Sequence, residues 1–204
     1  MKQAICGLRS LAPYQQSRFI ATPRDIENKE SADEHERRCW KERAHVNSEG
    51  YIFIPPQAFR HCIADAARFL GSAGALKIQG SGKATYTKHF EAGIMVPEGI
   101  TTKYTLDTCT PLWLFVPSDG RPGGSSRVMK CFPVIPDWAG TLTVLVLDDT
   151  IKENIFERVL IESGNFIGIG AFRIQKRGYF GRFIVDSIKW QKLDLQSMNA
   201  SHQT

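Results

Sequence analysis

The chain has 204 residues, 42% hydrophobic and 23% charged, with 26 Lys and Arg against 21 Asp and Glu for a formal charge of +5. This composition suits one core with elaborations and excludes collagen-like, coiled-coil, low-complexity and largely disordered classes, while the excess of base favours an anionic partner. The apolar run around residues 142–147 is too short to span a bilayer and residues 1–11 lack the apolar centre of a signal peptide, so a cytoplasmic protein with no membrane partner is expected.

Residues 4–11 have strand-like spacing, and Pro13 stops them from continuing as a central strand. Residues 24–43 carry six basic and seven acidic side chains. Ser31 with Glu34 three positions on forms a capping box that opens a charged helix to about His45, braced by the pairs Glu34–Arg38 and Arg38–Glu42. Residues 51–54 read as a strand, and Pro55-Pro56 then start a helix whose apolar stripe is Phe59, Cys62, Ile63, Ala66, Ala67 and Leu70, ending near Gly71. Arg60 and Arg68 fall off that stripe.

From 72 to 110 regularity fades into Gly-rich and polar sequence, too long for an ordinary loop and therefore read as a functional insertion. Residues 112–116 restart strand character, and 118–126, with Gly123-Gly124, form an excursion. Strands at 127–135 and 141–147 follow, joined at 137–140 as a hairpin. Asp148, Asp149 and Thr150 offer caps to a second helix with the stripe Ile155, Phe156, Val159 and Leu160, stopping by Gly164. A last strand alternates over 181–193, with Phe183, Val185 and Trp190 as candidate inward residues, and 197–204 is a polar tail. Five cysteines, at 6, 39, 62, 109 and 131, make no CxxC or CxH pair, so reduced and mostly buried thiols are expected and neither a disulfide framework nor a zinc site.

Without the insertions at about 12–50 and 72–110, the order is β, α, β, β, α, β. That is an α+β, ferredoxin-like (RRM-like) core over residues 1–196: an antiparallel sheet with two helices on one face and the other face free. Fold alone assigns no function. The informative stretch is 168–182, with Gly168, Gly170, Gly178 and Gly181, the cations Arg173, Lys176, Arg177 and Arg182, and the aromatics Phe172, Tyr179 and Phe180. Glycines let backbone N–H groups approach a phosphate, cations neutralise a nucleic-acid backbone and rings stack on bases. On this reading Gly170 and Gly178 serve the ligand, and filling either distorts the loop and leaves folding largely intact.

A Gly-rich loop between the second helix and the last strand of such a unit resembles the signature of the RAMP superfamily of CRISPR proteins. The run Ile54-Pro55-Pro56-Gln57-Ala58-Phe59-Arg60 is similar to the Ile-Pro-Gly-Ser-Ser-Leu-Lys/Arg pattern that introduces the first helix there, with Pro56, Gln57 and Ala58 replacing Gly and the two Ser. The layout is most similar to the repeated backbone subunits of CRISPR surveillance complexes, and 118–126 is the candidate for their thumb-like hairpin. The resemblance implies a protein that binds single-stranded RNA or DNA and assembles side by side along it, either as a complex subunit or as a phage or mobile-element relative.

Arg60, Lys83 and Lys88 extend the candidate nucleic-acid site, Lys83 as a phosphate contact only. Gly82-Lys83 is no phosphate-binding P-loop, since Lys77 stands where the first glycine belongs and Ala84 where the metal-binding hydroxyl belongs. No metal, cofactor or catalytic residue is assigned. His89, near Lys88 and Tyr86, is the alternative: a general base on a ribose 2′-hydroxyl, as in metal-independent RNA endonucleases of the same superfamily. A third reading is an interaction protein that binds or mimics a CRISPR complex subunit.

Overall fold

The computed structural model describes residues 1–118 and 126–192. All but the two end residues of the expected excursion, and the whole polar tail, lie outside the described residues. In chain order the elements are β1 (Lys2–Ser10), β2 (Tyr14–Gln15), α1 (Ala32–Cys39), β3 (Tyr51–Ile54), α2 (Pro56–Ser72), α3 (Thr87–Ala92), β4 (Ile94–Met95), β5 (Ile100–Thr105), β6 (Thr110–Pro117), β7 (Arg127–Ile135), β8 (Ala139–Val146), α4 (Glu153–Glu162) and β9 (Phe183–Lys192). Among these residues no helix is long and apolar enough to cross a membrane.

The principal sheet is antiparallel throughout, in the order β4-β8-β1-β9. Alternation decides its buried face: Ala4, Cys6 and Leu8 of β1 and Leu142, Val144 and Val146 of β8 point into one core. α2 and α4 cover that face. Pro56 occupies the first turn of α2, where a missing N–H does no harm, and the expected stripe from Phe59 to Leu70 is buried throughout. Phe59 meets Trp138 and Phe183 edge-on at centroid distances of 5.9 and 6.3 Å, which ties the start of α2 to the start of β9.

Two expectations fail here. Residues 127–135 and 141–147 form no hairpin. β7 pairs instead with β6 and β2 in a second sheet, while β8 lies between β1 and β4. The hairpin is β6–β7, from Thr110↔Val134 to Pro117↔Arg127, with Ser118 N–H donating to Ser126 O at 2.9 Å. The 72–110 stretch, in turn, supplies the edge strand β4 as well as β5, which pairs with β3. Ile100 of β5 packs so closely on Gly140 that a side chain there would overlap it.

The capping box is present: Ser31 Oγ accepts from Glu34 N–H at 3.2 Å and Glu34 Oε2 accepts from Ser31 N–H at 2.7 Å. The α-helix ends at Cys39, however, and passes into a tighter 3₁₀ turn at Trp40–Arg43. Its ion pairs also differ from those expected. Arg38 binds Glu30 at 2.8 Å, Glu42 receives the N–H groups of Ala21 and Thr22, and buried Glu36 takes Arg43 in a fork at 2.8 Å on both oxygens. Arg37 lies over Trp113 and Arg43 over Phe132, which seats the charged helix on the second sheet. Glu36 also accepts the Cys131 N–H at 2.9 Å, filling the edge of β7 beyond the end of β2. All five cysteines are free and buried.

Burial pushes the Glu36 carboxyl up, but hydrogen bonds from Arg43 and Cys131 outweigh it and hold the group below the ordinary glutamate range. Glu36→Ala strands a buried guanidinium and a strand N–H, and we expect a loss of about 3–5 kcal/mol in denaturant unfolding at pH 7. A carboxyl held down in the folded chain contributes fully above its unfolded value of about 4.3 and loses that contribution as pH falls through the folded one. The gap between wild type and Glu36→Gln is therefore flat near neutrality and closes on acidification below about pH 4.

Candidate nucleic-acid interface

After α4 the chain widens into a π-type turn at Ser163–Ile167 and enters the Gly-rich loop. Backbone hydrogen bonds tie the loop to the segment after β1. Leu11 and Ala12 N–H donate to Arg182 O at 2.8 and 3.2 Å, Gly181 N–H to Pro13 O at 2.8 Å and Ala171 N–H to Gln15 O at 3.0 Å. It also closes on itself, with Gly178 N–H donating to Arg173 O at 3.1 Å and Phe180 N–H to Phe172 O at 3.2 Å.

These bonds give the glycines a part in the fold itself, so filling Gly170 or Gly178 is not expected to leave folding intact, contrary to the sequence reading. Gly170 has φ +82°, and a Cβ on it would overlap the Gln15 carbonyl oxygen and come within 2.6 Å of the Tyr14 ring. Gly181, also at φ +82°, would drive a Cβ into the Ile169 carbonyl. Gly178 faces the Phe172 carbonyl in the same way. These positions let the loop lie flat on the core.

The side chains of Lys176, Arg177, Tyr179 and Arg182 all face solvent, Tyr179 at 69% exposure. None of the three cations forms an ion pair among the described residues. Arg173 differs: half-buried, it reaches Asp65 of α2 and the Gly170 carbonyl, each at 3.5 Å.

The structure therefore gathers Gly168, Gly170, Arg173, Lys176, Arg177, Gly178, Tyr179, Gly181 and Arg182 in one loop and puts the remaining candidates elsewhere. Arg60 donates to Glu91 O, at the end of α3, at 2.6 Å. Lys83 is exposed in a turn closed by Ile78 N–H to Ala84 O, and Lys88 is exposed on α3. No hydrogen bond or ion pair among the described residues joins Lys83 or Lys88 to the loop.

His89, singled out from the sequence, has a partner that the sequence did not indicate. Its Nδ1 lies 2.7 Å from Asp148 Oδ2, and Asp148 Oδ1 accepts Thr150 N–H at 2.8 Å. Asp148 thus orients an imidazole and closes a turn rather than capping α4, whose N-cap is Lys152. Burial pushes the Asp148 carboxyl up, and the bonds from His89 and Thr150 more than offset it, leaving it below the ordinary aspartate value. No three potential metal ligands cluster among the described residues. The chain matches no protein-family model and no curated protein.

Gly181→Ala combines a left-handed backbone with a clash, and we expect about 2 kcal/mol of destabilisation or more, read as a fall in Tm of roughly 4–8 °C. Gly50→Ala is the control: its φ is +88°, but an added Cβ meets nothing within 4 Å, so the backbone term acts alone.

Proposed function

We propose that the chain binds single-stranded nucleic acid, RNA foremost, along the outer side of the Gly-rich loop, as a RAMP-like module that assembles along its ligand. The observation that carries this reading is the exposed run Lys176, Arg177, Tyr179 and Arg182 on a loop whose backbone is held from beneath. Cations without ion-pair partners and an exposed ring are the two elements of sequence-tolerant strand binding. The succession β1-α2-β4-β8-α4-β9, with spatial order β4-β8-β1-β9, supports the ferredoxin-like assignment. Arg173 holds the loop to α2, and the three exposed cations meet phosphates.

Replacing Lys176, Arg177 or Arg182 by Ala is expected to weaken oligonucleotide binding to a similar extent across sequences. Each lost phosphate contact lowers the slope of log affinity against log salt by about 0.7. Fluorescence anisotropy over a salt series reads this directly, and unchanged slopes in all three variants reject the interface.

The His89–Asp148 pair favours a second reading, a metal-independent ribonuclease, because a carboxylate on Nδ1 leaves Nε2 as the basic nitrogen. On the binding reading, wild-type protein leaves labelled RNA intact with or without EDTA and His89→Ala keeps its affinity. Cleavage in EDTA that falls on the order of a hundredfold in His89→Ala establishes the nuclease instead.

A further inference from the structure

The turn after α2 closes on itself apart from the Gly-rich loop: Lys77 bridges to Thr85, and Ile78 N–H donates to Ala84 O at 3.0 Å. The base of this turn and the start of α4 enclose a cavity of about 780 Å³ that is open to solvent. Leu76, Ile78 and Ile155 give it an apolar wall, and Lys77, Lys152 and Arg158 give it cations. The volume falls in the usual range for small-ligand sites, about 300–1,000 Å³.

The charges around this space are sorted. Asp149 is the one carboxylate lining it among the described residues, and the Met1 ammonium holds it at 3.3 Å. Glu153 and Glu157 of α4 are taken by Lys2 Nζ of β1 and Trp190 Nε1 of β9, each at 2.8 Å. Lys77, Lys152 and Arg158 form no ion pair among the described residues; Lys152 donates to the Asp149 carbonyl at 2.9 Å. Two further features supply hydrogen-bond donors. The ten-residue α4 has no side-chain cap, and the N–H groups of Glu153 and Asn154 make no hydrogen bond among the described residues. Tyr86 lines the cavity at only 8% exposure, yet its hydroxyl bonds to nothing among the described residues and keeps surface open to solvent. A tyrosine hydroxyl on a ring buried this far normally finds a partner.

We infer that this cavity binds a phosphomonoester carried on an organic body, the phosphate among Lys77, Lys152, Arg158 and the Tyr86 hydroxyl and the body along Leu76, Ile78 and Ile155. A phosphomonoester presents three strong acceptor oxygens and close to two negative charges, which matches several cations and neutral donors better than a carboxylate with two oxygens does. The open first turn of α4 adds unpaired N–H groups and the positive end of the helix. Inorganic phosphate alone leaves the apolar wall uncovered. No residue lining the cavity belongs to the Gly-rich loop, so the inference stands independently of strand binding there. A free small ester and the phosphorylated end of a strand carry the same group, and the test separates the two sources.

The test is calorimetric titration of the full-length protein at fixed ionic strength with phenyl phosphate, uridine 5′-monophosphate, uridine and inorganic phosphate. At least one of the two esters is expected to bind about tenfold more tightly than inorganic phosphate, and uridine is expected not to bind. Lys77→Gln, Arg158→Gln and Tyr86→Phe are each expected to weaken that ester roughly tenfold. Their Tm stays unchanged, because the two cations are exposed and the Tyr86 hydroxyl has no partner to lose. Lys189→Gln removes the same charge from an exposed residue outside the cavity and leaves the affinity unchanged. No binding of either ester, binding no tighter than that of inorganic phosphate, or binding indifferent to all three cavity variants overturns the inference. A 5′-phosphorylated trinucleotide that displaces the ester where its 5′-hydroxyl counterpart does not makes the source a strand end, and an ester that neither displaces makes it a free small molecule; both support the site. Equal displacement by the two trinucleotides makes the ligand backbone phosphate and overturns it.

Discussion

Six residues after β1 carry the connections on which the arrangement depends. Leu11 and Ala12 bond to Arg182, Pro13 to Gly181, Gln15 to Ala171, and Gln16 N–H to Pro133 O, so one short segment joins the principal sheet, the second sheet and the Gly-rich loop. Every one of these bonds is backbone to backbone, and at two points the main chains lie closer than a Cβ would permit. Gly170 and Gly181 meet that requirement, and Pro13 turns the chain from one sheet to the other. Backbone groups buried here are paired, as they must be away from water.

The loop is held to the protein through its backbone and presents its charged side chains outward. The N–H groups of Gly168, Ile169, Ala171, Lys176, Arg177, Gly178, Phe180 and Gly181 are taken up by carbonyls of the protein. The side chains of Lys176, Arg177 and Arg182 project outward from this frame, and in the proposed function it is they that meet the anion. A network runs from the loop across α2 to α3: Arg173 to Asp65, Asp65 to Arg68 at 3.1 Å, and Arg68 to Glu91 at 3.0 Å. Arg60 donates to the Glu91 carbonyl beside that network.

What could be read in the sequence was local. The α2 stripe, the Ser31–Glu34 box, the α4 stripe and the alternation of the last strand, read over 181–193 and found at Phe183–Lys192, are period or cap signals, and each appears where its pattern lies. The strand partners were not legible, because pairing is non-local. The 137–140 connection has the length of a hairpin loop, yet β8 pairs with β1 at the other end of the chain. Two-residue β4 is too short to show any alternation. The cations of the loop were visible as a cluster of residue types, while Asp148 as the partner of His89, 59 positions away, carried no signal. Lys77 and Arg158 as walls of one cavity were hidden for the same reason: the cavity joins segments far apart in the chain.

The buried thiols give the chain its own chemical clocks. Burial above all pushes Cys6, Cys62 and Cys131 up to about 12, and raises Cys39 and Cys109 as well. Since the thiolate is the reacting species, the folded molecule is almost inert to alkylation near neutrality, and each cysteine becomes labelled only when its surroundings open. Cys6 and Cys62 lie in β1 and α2, in the principal sheet and the helix that covers it; Cys39 and Cys131 lie in α1 and β7, the charged helix and the second sheet. Site-by-site alkylation rates therefore separate opening of the second sheet from global unfolding, with no introduced probe.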